Sequence, residues 1–320
     1  MRAAGRSAAG TSTNIPPSFV LDDKTLQVPT GEPVAVTSEL MSARDAAGRD
    51  ARDGMRRAGV TVGPLGSTAE CVAAAALLAA IWETSPESSP LSGDLLTSLV
   101  HSGGCVLGAL DAHGALVGVT VGVGGAPLST CLYSLIAGVD SRCAGRGVGM
   151  ALKQAQRLWA VERGATQMSW TYDPLVRRNA HFNLNRLGAR TVEYLPDFYP
   201  PMHDGLNRSD LTDRLAVVWD LLLPTPGDGG VIGPERRLLA PADDGEPVVG
   251  IPAGSGDGGH PLAVWIPADV EAMRRTDPAL AMRWRLAVRE AFQSAVEAGY
   301  HPRRITTDGY YILNRTQGQP

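Results

Sequence analysis

Six residues, Ala144-Gly145-Arg146-Gly147-Val148-Gly149, follow an apolar run at 132–140 and open an amphipathic stretch. Glycines let the backbone turn tightly and come close to a ligand. The first amides of a helix lack partners within it, and the positive end of its dipole favours an anion. Such a segment can cradle a pyrophosphate; a ligand-free turn from strand to helix accounts for the glycines equally well. It is not the dinucleotide fingerprint, because Met150 and Leu152 stand where a further glycine is required. Nor is it a Walker loop, since no Gly-Lys-Ser/Thr follows. Cys71, Cys105, Cys131 and Cys143 are far apart and form no CxxC pair. That argues against a metal site and points to free thiols in a reducing cytoplasm.

Around this segment the chain alternates short apolar runs with helical patterns. VTVGPL (60–65) reads as a strand, and 68–83 and 93–104 as helices, the first with Ser67 and Glu70 as a capping box. Residues 105–124 read as a hairpin around Asp111–Gly114, 132–140 as a strand and 141–164 as the glycine turn with its helix. TQMSWTYDP (166–174) is a strand, 177–189 a helix stopped by Gly188, and 190–195 and 214–223 are strands. Further on, 262–268 is a strand, 277–299 a helix capped by Asp277 and Pro278, and 304–315 a hairpin-like close. This order predicts an α/β (α+β) fold: a mixed, mostly antiparallel sheet flanked by helices, with a C-terminal α/β extension.

Length and composition set the limits. The 320 residues exceed one minimal domain, and 44% apolar with 19% charged residues suffices for a sizeable core. A net charge of −4 argues against nucleic acid as a partner. No apolar window is long enough for a membrane span, and the N-terminus has no apolar stretch of a secretory signal. Residues 1–56 are read as a flexible tail without an apolar face, 57–223 as the main domain, 224–261 as a Pro/Gly-rich linker or arm, and 262–320 as an extension packing on that domain.

The strand followed by GRGVGMALK, then WTYDP, then NAHFNLNRLGA, resembles the Gcn5-related N-acetyltransferase superfamily. WTYDPLVRRNAHFNLNRLGA, EYLPDFY, DRLAVVW and IPADVEAMRRTDPALAMRWRLAVREAF resemble a subgroup of acyltransferases, some of which N-succinylate amino acids. The likeness spans roughly 57–316. It implies an N-acyltransferase using acetyl-CoA or succinyl-CoA, with no metal, a small amine or amino acid as partner, no membrane partner, and room for a homodimer.

The resemblance also implies where the substrates lie. The strands at 132–140 and 166–173 open as a V that holds pantetheine. The backbone of Ile136, Ala137, Gly138 and Val139 would pair with it, and an amide near Ala137 or Gly138 would hold the thioester oxygen. The amides of Arg146, Gly147, Val148 and Gly149, with Ala151, would take the pyrophosphate, aided by Arg142. Asn179 would contact the cofactor arm. Asp173, His181 and Tyr199 are the candidates for proton transfer, and Arg177, Arg178 and His203 for binding a substrate carboxylate or the acceptor. The family's usual Gln or Arg is Ala144 here, and its usual proton-donating Tyr is Leu184.

Overall fold

The computed structural model describes residues 38–124, 130–224, 236–250 and 260–315. Helix α1 (Ser38–Ala58) corrects the tail reading over its length. Its buried face is Ala43, Ala47, Gly48, Ala51, Gly54 and Ala58, and it lies along helix α4 (Val148–Val161). A Cβ at Gly54 would stand 3.3 Å from the Ala151 Cα, so the two backbones nearly touch. This face is set off from the Arg, Asp and Glu side chains at a helical period, but it is built of Ala and Gly, which do not read as an apolar stripe. The rest of the tail, 1–37, falls outside the described residues.

Strands β1 (Thr61–Pro64), β2 (Cys105–Leu110), β3 (Leu116–Gly124), β4 (Cys131–Val139), β5 (Gln167–Tyr172), β6 (Arg190–Leu195) and β7 (Arg214–Asp220) form one sheet in the order β1-β2-β3-β4-β5-β7-β6. Its neighbours are antiparallel except β4 and β5. Helices α2 (Thr68–Ile81) and α3 (Gly93–His101) pack together, with α2 over β3 and β4. The capping box at Ser67 and Glu70 forms as read. Between β5 and β6 the chain makes one turn of α5 (Arg177–Ala180) and continues as a π-helical turn, His181–Arg186.

The stretch 224–261 is not only linker. Within it lie β8 (Arg236–Pro241) and β9 (Pro247–Val249). With β10 (Leu262–Trp265), β11 (Tyr300–Ile305) and β12 (Tyr310–Arg315) they make a second sheet, β11-β12-β10-β8-β9. Helices α6 (Val270–Thr276) and α7 (Pro278–Glu297) complete this part. One apolar core runs through both sheets: Trp170, Tyr172 and Leu215 share it with Trp284, Phe292 and Tyr311. Tyr194 stacks on Phe292 at 5.4 Å between ring centroids. The described residues accordingly form one compact unit.

Candidate active site

The only parallel pair of the first sheet is also its weakest seam. Strands β4 and β5 share three rungs, Cys131↔Gln167, Leu132↔Met168 and Tyr133↔Ser169, and then part. Each keeps its outer neighbour: β4 stays on β3 as far as Gly118↔Val139, and β5 on β7 as far as Tyr172↔Leu215. The facing edges therefore hold unpaired backbone groups, which call for a partner. An extended, amide-bearing arm can supply it as a strand would. The register of β4 against β3 slips just past the parting, pairing Ile136 with Val121 and Ser134 with Gly122, so that Leu135 is left as a bulge. The irregular backbone falls there, earlier than Ala137 or Gly138. Gly138 has a packing reason instead: a Cβ would come within 2.9 Å of Ile81 Cδ1 and 3.0 Å of the Trp82 ring at the end of α2.

At the mouth of the gap, Gly145 and Gly147 take φ of 74° and 87°, in the left-handed region. Gly147 is the N-cap of α4 and offers no side chain to its free amides. The Arg146 amide donates to the Cys143 carbonyl at 3.3 Å and the Ala151 amide to the Gly147 carbonyl at 3.0 Å. Both are spent, which corrects their assignment to the cradle. The amides of Gly147, Val148, Gly149 and Met150 have no backbone partner among the described residues. Arg142 folds back onto Asp140, 2.5 Å from Nη2 to Oδ2, and is not free for phosphate as it stands. The Arg146 side chain is exposed beside the turn. Asn179 is half-buried in α5.

Asp173, at the end of β5, is no base. Arg285 bridges both its oxygens at 2.9 and 2.8 Å, and Arg274 donates to Oδ2 at 2.6 Å. Both arginines also reach Asp210. All four groups are buried. Burial by itself would raise the Asp173 pKa, but the Arg285 and Arg274 guanidiniums outweigh it and hold the carboxyl far below the usual range. A second knot joins Arg289 to Asp213, which accepts the Tyr194 hydroxyl at 2.7 Å, and to Asp197 at 2.8 Å. Asp213 thus pairs with α7, and not with its neighbour Arg214.

The two arginines read as substrate ligands are also taken by the C-terminal part. Arg178 makes a bidentate pair with Glu271 of α6, 2.6 Å at each oxygen. Arg177 donates to the Ile266 carbonyl and lies over Trp265. His203 is exposed, with Nδ1 2.9 Å from Ser209 Oγ, and His181 is half-buried in the π-helical turn. No side-chain hydrogen bond among the described residues joins either to the gap.

Tyr133 and Lys153, which are not among the candidates read from the sequence, line the parting strands on opposite faces. On the α2 face, the Tyr133 hydroxyl lies against Thr171 and Tyr199, and burial pushes its pKa up. Arg214 stands over the Tyr199 ring at 5.2 Å, donates to the Asp213 carbonyl, and is buried without an ion pair among the described residues. The loop 196–213 closes this face, where the Gly205 amide donates to the Trp82 carbonyl at 3.1 Å. On the α4 face sits Lys153, 4% exposed, its Nζ 2.6 Å from Ser134 Oγ and 4.1 Å above the Trp170 ring. Ser134 and Trp170 are the first residues past the last shared rung. A lysine on the same helical face as Gln156 and Ala160 was the available signal.

No family model matches the chain, and no curated protein matches it. Among solved structures it is similar to an N-acetyltransferase from Staphylococcus aureus Mu50, with 14% identity, a TM-score of 0.41, and coverage of 51% of this chain and 98% of that one. It is similar to the ribosomal-protein-S18-alanine N-acetyltransferase from Escherichia coli, with 13% identity, TM-score 0.41, and coverage of 53% and 99%. It is also similar to yncA from Salmonella typhimurium, solved with its cofactor acetyl-CoA, with 15% identity, TM-score 0.41, and coverage of 51% and 94%. The likeness concerns half of this chain and the fold alone. No helix among the described residues is long and apolar enough to cross a membrane.

Proposed function

We propose that this protein is a CoA-dependent N-acyltransferase of the Gcn5-related kind, moving an acetyl or succinyl group to the amine of a small amino-acid-like substrate. The observation that carries this reading is the gap between β4 and β5. It has unpaired strand edges along its sides, a bulge at Leu135 near its floor, and the free amides of α4 at its mouth. Pantetheine fits as a missing strand, with the pyrophosphate on Gly147, Val148 and Gly149. The amine attacks directly in a ternary complex, and the protein contributes proximity, a backbone donor for the oxyanion and a path for one proton.

The α2 face supports an acceptor that carries a carboxylate. Arg214 is buried there beside Tyr133 and Tyr199 and makes no salt bridge among the described residues, Asp173 acting on it only at longer range. A cytoplasmic setting agrees with four free cysteines. A binding-only role for acyl-CoA is the alternative, and it is favoured by Leu184, which is buried and has no proton to give. A panel of acetyl-CoA and succinyl-CoA against amino acids, read by free-thiol release, decides. Turnover with any amine supports the transferase. Thermal stabilisation by CoA with no thiol release from any pair supports the binding role, and neither effect overturns both.

A further inference from the structure

Lys153 has no ion pair among the described residues to keep it charged. Ser134 Oγ already donates to Gln156 Oε1 at 2.9 Å, so both are satisfied without the lysine. Around Nζ lie Ser134 of β4, Gln156 of α4 at 3.4 Å, and Met168 and Trp170 of β5. The titratable group facing it is Cys105 of β2, whose thiol burial pushes up to about 12 and so keeps protonated. No carboxylate pairs with Lys153 among the described residues. A buried ammonium without a counter-ion is costly, and such groups collect at functional sites.

Its place fits a use. From Val139 at the mouth to Ser134 is five residues of strand, about 16 Å at ~3.3 Å each. That depth suits the thioester end of an extended pantetheine arm. Trp170 ties the lysine to the turn that bears Leu184: its indole nitrogen donates to Asn183 Oδ1 at 3.2 Å, while Lys153 covers its ring. Lys153 therefore approaches the floor of the gap from the face on which Leu184 leaves no proton donor.

We propose that Lys153 is the general acid of the transfer, its ammonium protonating the sulfur as the thioester carbon–sulfur bond breaks. This rests on the acyltransferase reading. The acceptor nitrogen forms its bond to the acyl carbon and becomes an ammonium. The carbon–sulfur electron pair goes to sulfur, which takes the Lys153 proton. The proton shed by the acylated nitrogen, passed through solvent, restores the lysine. Amine and thioester thus give amide and thiol with no other reactant. Burial pulls the Lys153 pKa down to about 7, so the group can give and regain a proton near neutrality.

The test compares the wild type with Lys153→Met and Lys153→Arg. The first readout needs only CoA: the ultraviolet absorbance of the thiolate of bound CoA, followed against pH. The sulfur is expected to ionise at lower pH on the wild type than on Lys153→Met. The second readout is steady-state turnover with acetyl-CoA and the best amine of the panel. Both variants should lose about 10²-fold or more in kcat with little change in donor KM. The wild-type kcat should fall as pH rises through about 7, and that limb should vanish in both variants. Lys153→Arg separates proton donation from charge, because arginine keeps its proton at neutral pH. Turnover of Lys153→Met within about tenfold of wild type, an active Lys153→Arg, or an unmoved thiolate titration overturns the assignment. If acetyl-CoA fails to stabilise even the wild type against heat, the acyltransferase reading itself falls; binding with unchanged variants removes only Lys153.

Discussion

Replacing Asp173 by Asn separates two roles for one residue. As a general base, Asp173 would set the rate, and its loss would lower turnover by about 10²–10⁴-fold while leaving stability nearly intact. As observed, it is one of two carboxylates neutralising Arg274 and Arg285, with all four groups buried. Asn keeps the shape and one acceptor oxygen but removes the charge. Two buried guanidiniums would then share Asp210 alone. Breaking a buried pair from one side destabilises by about 3–5 kcal/mol. For a unit of this size that corresponds to a fall in Tm of roughly ten degrees. The sign with pH follows from the depressed carboxyl. Its contribution is complete above the unfolded carboxylate pKa of about 4 and is lost only as pH falls far below that. Between pH 5 and 9, therefore, neither stability nor rate should show an inflection from Asp173. Thermal melts and denaturant titrations of the two proteins measure the loss, and a pH–rate profile measures the rest. A variant that melts within a degree or so of wild type but has lost its turnover would refute the ion-pair account and restore the base.

Other expectations follow from the same geometry. Gly149→Ala should leave Tm unchanged, because its Cβ would meet Val139 at an ordinary 3.8 Å, yet it should reduce the thermal shift given by CoA. Gly147→Ala should lose about 1–2 kcal/mol by denaturant titration even without ligand, since φ there is 87°. In the wild type, Lys153 makes stability climb as pH rises from about 7 towards the unfolded lysine value of about 10.4, where only the unfolded chain still holds the proton. Denaturation of Lys153→Met at pH 7 and pH 10 should show that climb gone and the variant more stable at pH 7. Truncation after Pro224 should abolish cooperative unfolding, because Trp170, Tyr172 and Leu215 share one core with Trp284, Phe292 and Tyr311.

The sheet was largely legible, because strands that alternate in burial or run apolar declare themselves locally. The hairpin 105–124, the strand 132–140 and the helix after the glycine turn lie where the periodicity puts them. The failures share a cause. Helix α1 packs through Ala and Gly, so its contacts are close and helically spaced, but no large apolar residue marks the face. Strand β8, RRLLAP, is half arginine and proline by sequence, and only its pairing with β10 on one side and β9 on the other makes it a strand. Leu286 of α7 is exposed, while Arg285 beside it is fully buried. No local pattern distinguishes an arginine at a core position from one in solvent; the acids that justify it lie more than seventy residues away.

The site was legible in its backbone and illegible in its charges, for a physical reason. A cradle of amides depends on glycines and a helix start, which neighbouring residues specify. A proton-transfer group depends on what is left unpaired after folding. Asp173, Arg177 and Arg178 sit beside the gap in sequence, but the C-terminal part claims them through Arg285 of α7, Ile266 after β10 and Glu271 of α6. Lys153 ends the glycine-turn segment as an unremarked helix residue and is left without an acid among the described residues. Chain position therefore favours residues that the fold neutralises, while the groups still able to act, Lys153 on one face and Arg214 on the other, are those that make no salt bridge among the described residues, Asp173 acting on Arg214 only at longer range.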